Sequence, residues 1–94
     1  MNLIEALRLS QKYLDKEYRS GESKLLPKGM ETTNFWWINY DAPDNRGEFA
    51  GHIILNKSTK EIVITTCPPS DIVYGHRFIT EEEFNNAREQ NDVN

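Results

Sequence analysis

Cys67, His52 and His76 are the side chains of this 94-residue chain whose types could supply a nucleophile, a base or a soft metal ligand. A thiol nucleophile needs a base within hydrogen-bond reach, and Cys67 and His76 could meet through the loop between them. Set between Thr66 and the Pro68-Pro69 pair, however, Cys67 reads as a small, partly buried residue at a strand end. His52 reads as a surface or strand-end residue, and the three together lack the close paired spacing of a zinc site. The run Glu81-Glu82-Glu83 offers neighbouring carboxylates, but acids in the first turn of a helix serve its dipole and its cap. GxGxxG, P-loop and GxSxG motifs do not occur, and the five glycines are scattered. The expectation is a chain with no catalytic residues, no cofactor and no metal, acting by binding rather than as an enzyme.

Recognition chemistry is better represented. Trp36 and Trp37 are neighbours in a run dense in aromatic and branched residues, so on a strand their rings point to opposite faces. One can enter a core; the other needs a cover or becomes an exposed anchor for a partner. Charge is uneven too: Met1 to Tyr40 holds six basic and five acidic side chains, Asp41 to Asn94 five and ten. Asp41, Asp44 and Glu48 cluster in one turn-rich stretch and Asp71 lies beyond the next pair of strands. With Trp36 and Trp37, these four acids are the candidate partner-binding residues, and a basic protein is the partner they suit. The competing reading of the acids is a solvated surface that aids solubility. A net charge of -4 argues against a binder of phosphate backbones, so no nucleic-acid partner is expected.

The elements that must hold these residues are legible in pattern. Leu3, Ala6, Leu7, Ser10, Tyr13, Leu14 and Tyr18 make one stripe of a helix over residues 2–18. Asn2 and Glu5 have the spacing of a cap with its reciprocal partner, and Gly21 supplies a stop. Leu25-Leu26 suggests a short edge strand broken by Pro27 and Gly29. Residues 34–40 read as a central strand with apolar groups on both faces. Residues 51–56 and 61–66 read as a hairpin about Lys57-Ser58-Thr59-Lys60, which sets Leu55 opposite Ile62 and Ile53 opposite Ile64. The stretch from Ser70 to Phe78 reads as a loop or short strand. Thr80 with Glu83 is a capping box and Ile79 with Phe84 a hydrophobic staple, so a helix begins near Glu81, ends by about Gln90 and leaves residues 91–94 as a frayed tail.

The fold expected is α+β: one domain over residues 1–94, an antiparallel sheet of three to four strands, the N-terminal helix on one face and a short C-terminal helix. Hydrophobic residues at 37% suffice for one core, while a mean hydropathy of -0.71 leaves no membrane-length apolar run. A single cysteine excludes an internal disulfide, and Met1-Asn2-Leu3-Ile4-Glu5 has no basic start or apolar core of a secretory signal, so a cytoplasmic location is expected.

The layout also resembles a known family. The helix ending in Tyr13-Leu14, the strand Phe35-Trp36-Trp37-Ile38 and the segment Ala50-Gly51-His52-Ile53-Ile54-Leu55-Asn56-Lys57-Ser58-Thr59-Lys60-Glu61-Ile62 are similar to the immunity protein 35 family, which includes YrhB-like small chaperones. The likeness runs to about Tyr74; it departs at His52, where the pattern has a small polar residue and a proline, and at the Pro68-Pro69 exit. The resemblance implies a cytoplasmic bacterial protein that neutralises a toxin or effector domain by direct binding. A small chaperone, a phage-type inhibitor and a cysteine-dependent enzyme are the alternatives.

Overall fold

The computed structural model describes residues 1–19, 21–43, 51–63 and 75–92. In chain order they form α1 (Leu3–Glu17), β1 (Lys24–Thr32), β2 (Phe35–Asp41), β3 (Gly51–Asn56), β4 (Ile62–Val63), β5 (His76–Phe78) and α2 (Glu81–Asp92). The α+β architecture is as expected, with one strand more: the five strands lie in the order β4-β3-β2-β1-β5, every neighbouring pair antiparallel.

Helix α1 starts where Asn2 accepts a hydrogen bond from the Glu5 backbone N–H at 2.9 Å. The reciprocal half of the box is not made; the Glu5 carboxylate turns to Lys60 of the β3–β4 turn, 2.8 Å away. The helix closes at Tyr18 with an extended cap, before Gly21, whose φ of 87° serves the following turn instead. Its buried residues are Ala6, Leu7, Ser10 and Leu14, four of the seven in the predicted stripe. Helix α2 has the complete capping box: Thr80 Oγ1 accepts from the Glu83 N–H at 3.1 Å and Glu83 Oε1 accepts from the Thr80 N–H at 3.2 Å. It continues to Asp92 rather than ending by Gln90.

The segment carrying Pro27 departs most from expectation. It is a nine-residue inner strand, β1, not a short edge strand. Its register against β2 shifts between Leu25 and Gly29, and Pro27 sits in that irregularity, where its missing N–H takes nothing from the ladder. Gly29 follows because a Cβ there would lie 2.2 Å from the Trp37 carbonyl oxygen. Thr32 ends the strand, its hydroxyl accepting from the Phe35 N–H at 3.0 Å to close the turn into β2.

Strand β2 is central, as its composition predicts. The β3–β4 hairpin has Leu55 opposite Ile62, and Asn56 donates its N–H to the Glu61 carbonyl at 2.9 Å. The Asn56 side chain accepts from the Ser58 and Thr59 N–H groups, and Lys60 takes the left-handed conformation that turns the chain back, with φ 62°. Ile64, expected opposite Ile53, lies outside the described residues.

Both helices pack on the same side of the sheet: α1 meets β1, β2 and α2, and α2 meets β1. Leu7, Leu14 and Phe84 there join Leu25, Trp36, Ile38, Ile53 and Leu55 in one core.

Candidate functional site

With both helices on one side, the other side of the sheet is set by alternation along each strand. Trp37 pairs with Ile54 on β3 and with Met30 on β1; Ile54 pairs with Val63 on β4 and Met30 with Phe78 on β5. One apolar row, Val63-Ile54-Trp37-Met30-Phe78, thus crosses all five strands. Ile54 within it is buried, Val63, Trp37 and Met30 are half-buried, and Phe78 is 70% exposed. His52, a diagonal neighbour of Trp37 on β3, stacks on its ring with centroids 4.3 Å apart and planes 24° from parallel. His76 meets the Phe78 ring edge-on at 5.3 Å. Between Pro27, Met30, Trp37, His52 and Phe78 lies a shallow concavity of about 370 Å³, with Asn39 and Lys28 as its polar lining.

Of the two tryptophans, Trp37 presents itself on this face and Trp36 does not. Trp36 is 4% exposed, its Nε1 donates to the Met1 carbonyl at 3.1 Å, and Lys57 Nζ sits 4.9 Å from its ring centroid. It is a core residue, so its candidacy for partner contact is corrected: a ring enclosed under α1 has no area left to offer. Asp41 is half-buried at the end of β2, on the Trp37 side of the sheet by alternation. Asp44, Glu48 and Asp71, like Cys67, lie outside the described residues.

Met30 and Phe78 are members of this face that sequence reasoning did not name, and His52 was read there only as a surface or strand-end residue. His52 follows from the Asn39–His52 register once β2 and β3 are paired. Phe78 needs β5 placed beside β1, and three residues with no strand composition of their own carry no such signal.

The perturbed carboxylates are elsewhere, each on a basic partner. Burial pushes the Glu31 carboxyl up, but hydrogen bonds from Lys57 at 2.6 Å and Arg77 at 2.8 Å outweigh it and hold the group below the ordinary range. The Arg77 fork, 3.0 and 3.1 Å from the two oxygens, likewise holds Glu83 down, helped by the Thr80 N–H. The Lys60 hydrogen bond lowers Glu5. These groups tie β1, β5, α2 and the hairpin together, and none lines the concavity. Among the described residues no group of three or more His, Cys, Asp or Glu side chains could hold a metal ion, and no helix is long and apolar enough to cross a membrane.

Compared with known proteins, the chain matches no family model, no curated protein and no solved structure.

Proposed function

We propose that this chain is a small binding protein that neutralises a basic protein toxin by direct association through its Trp37 face, in the bacterial cytoplasm. The observation that carries the reading is the accessible part of the apolar row, where Trp37 and Met30 are half-buried and Phe78 is 70% exposed, on the side of the sheet away from both helices. Water around an aromatic left 70% exposed, as Phe78 is, imposes a standing cost that a partner's surface removes. Large flat rings are also the side chains from which interface centres draw most of their energy. A net charge of -4 favours a basic partner and raises its rate of encounter. The immunity protein 35 resemblance supports a toxin as that partner.

Affinity capture from the native host with the tagged chain, followed by titration of the captured protein, tests this. Trp37→Ala should stay folded by circular dichroism and lose at least about 2 kcal/mol of binding, roughly 30-fold in Kd. Undiminished binding by the variant would move the contact surface elsewhere, and retention of many unfolded proteins in place of one partner would make the chain a chaperone.

A further inference from the structure

The chemistry of the concavity on the Trp37 side selects its occupant. Of its lining, Pro27, Met30, Trp37 and His52 are half-buried and Phe78 is 70% exposed, so each has surface open to solvent. Trp37 and Phe78 stand on strands two apart, β2 and β5, with Met30 of β1 between them, a separation of about 9.6 Å at ordinary strand spacing. Asn39 is only 9% exposed, yet its side-chain amide makes no hydrogen bond among the described residues. Among those residues the Ser10 hydroxyl is the one enclosed side-chain polar atom without a partner, so the Asn39 amide is not sealed in the core but opens into the concavity it lines. The register of β1 shifts between Leu25 and Gly29, which leaves Asn39 paired with His52 on β3 and with no residue of β1. The lining holds no carboxylate, and Lys28, its one lysine or arginine, already has a partner.

We propose that this concavity receives an uncharged aromatic side chain of the partner, on an extended segment whose backbone N–H and C=O both pair with the Asn39 amide. The inference rests on the Trp37 face being the partner surface, and it names what the partner presents there. A cationic side chain would lose its water in the concavity and find no counter-charge, however basic the partner as a whole. A flat ring between Trp37 and Phe78 makes the offset or edge-on contacts that aromatic rings prefer, with the Met30 thioether between them. In an extended chain the N–H and C=O of one residue point to the same side, and a carboxamide offers the matching acceptor and donor. An amide nine-tenths buried without a partner costs its desolvation, which the arriving backbone relieves.

The test titrates the isotopically labelled full chain with an acetylated, amidated pentapeptide that carries phenylalanine at the centre of glycine and serine, following amide and side-chain shifts. Parallel titrations place leucine, arginine or N-methylphenylalanine at the centre. Shifts should gather on Met30, Trp37, the Asn39 side-chain amide and Phe78, with affinity falling from phenylalanine to leucine to arginine. N-methylation deletes the backbone donor and should weaken binding at least about five-fold. Asn39→Leu should weaken the phenylalanine peptide by as much without lowering the melting temperature, because it removes an amide that the fold leaves unsatisfied. Arginine binding as well as phenylalanine, indifference to N-methylation, a destabilised Asn39→Leu, shifts away from this face, or none at millimolar peptide would each overturn the assignment. Release of the captured partner by Trp37→Ala but not by Asn39→Leu would overturn this inference and leave the toxin-binding face standing. Peptide binding as described, with the captured partner indifferent to Trp37→Ala, would support the site and move the toxin contact elsewhere.

Discussion

Ser10 is fully buried on α1, and its hydroxyl has no hydrogen-bond partner among the described residues. An unpaired buried hydroxyl costs its desolvation, so Ser10→Ala should stabilise the fold by about 1 kcal/mol, read as a rise in the denaturation midpoint. A fall would mean that the hydroxyl is satisfied in solution. Gly29 and Pro27 illustrate the same scale from the other side. In the sequence both look like breaks, yet each is accommodated: the proline by a register irregularity, the glycine by the Trp37 carbonyl that passes where a side chain would stand. Trp36 and Trp37, adjacent and chemically identical, differ entirely in what surrounds them, one closed in by the N-terminus and Lys57, the other stacked on His52.

At the scale of elements, α1 holds the sheet's covered face by its stripe and not by intrinsic propensity, because an isolated helix of fifteen residues is marginal in water. Leu7→Ala or Leu14→Ala should therefore cost about 2–5 kcal/mol. Thermal melts that move by less than a few degrees for both would mean that α1 is not docked. The stripe, the α2 capping box, the central aromatic strand and the β3–β4 hairpin were all legible, since each signal is local: period, cap spacing or turn residues. Strand β5 was legible only as a loop or short strand within residues 70–78; its place beside β1 was not, because its three residues are exposed and pair with a segment far away in the chain, Arg77 lying 46 positions from its partner Glu31. With it went Phe78 and the full width of the candidate face.

For the whole molecule, the Lys57–Glu31–Arg77–Glu83 chain joins the hairpin, β1, β5 and α2. Both of its carboxyls are depressed in the folded state. The stability they add is then fully present above the unfolded carboxylate value of about 4.3 and is lost as pH falls through the lower folded values. Melting temperature should be flat near neutrality and fall as pH drops from about 4.5 toward 2.5. Glu31→Gln should be less stable than the parent at pH 7, with the gap narrowing at pH 3. A gap that holds constant would show that Glu31 contributes by packing and not by charge.

The sequence by itself determined the fold class, the two helices, the central strand and the hairpin, because hydrophobic period, caps and turns act over a few residues; the length and inner place of β1 and the place of β5 it did not determine. It also determined that one tryptophan of the pair must face away from the other. What tertiary structure alone decided is which one. Both helices settle on the Trp36 side, drawn by Leu7, Leu14 and Phe84 to the same apolar surface, and the choice leaves Trp37 uncovered by either helix. Strand order then aligned Val63, Ile54, Trp37, Met30 and Phe78 into one row. Such a row is a product of register between segments far apart in the chain, and register is set by the burial of the whole sheet rather than by any residue in it.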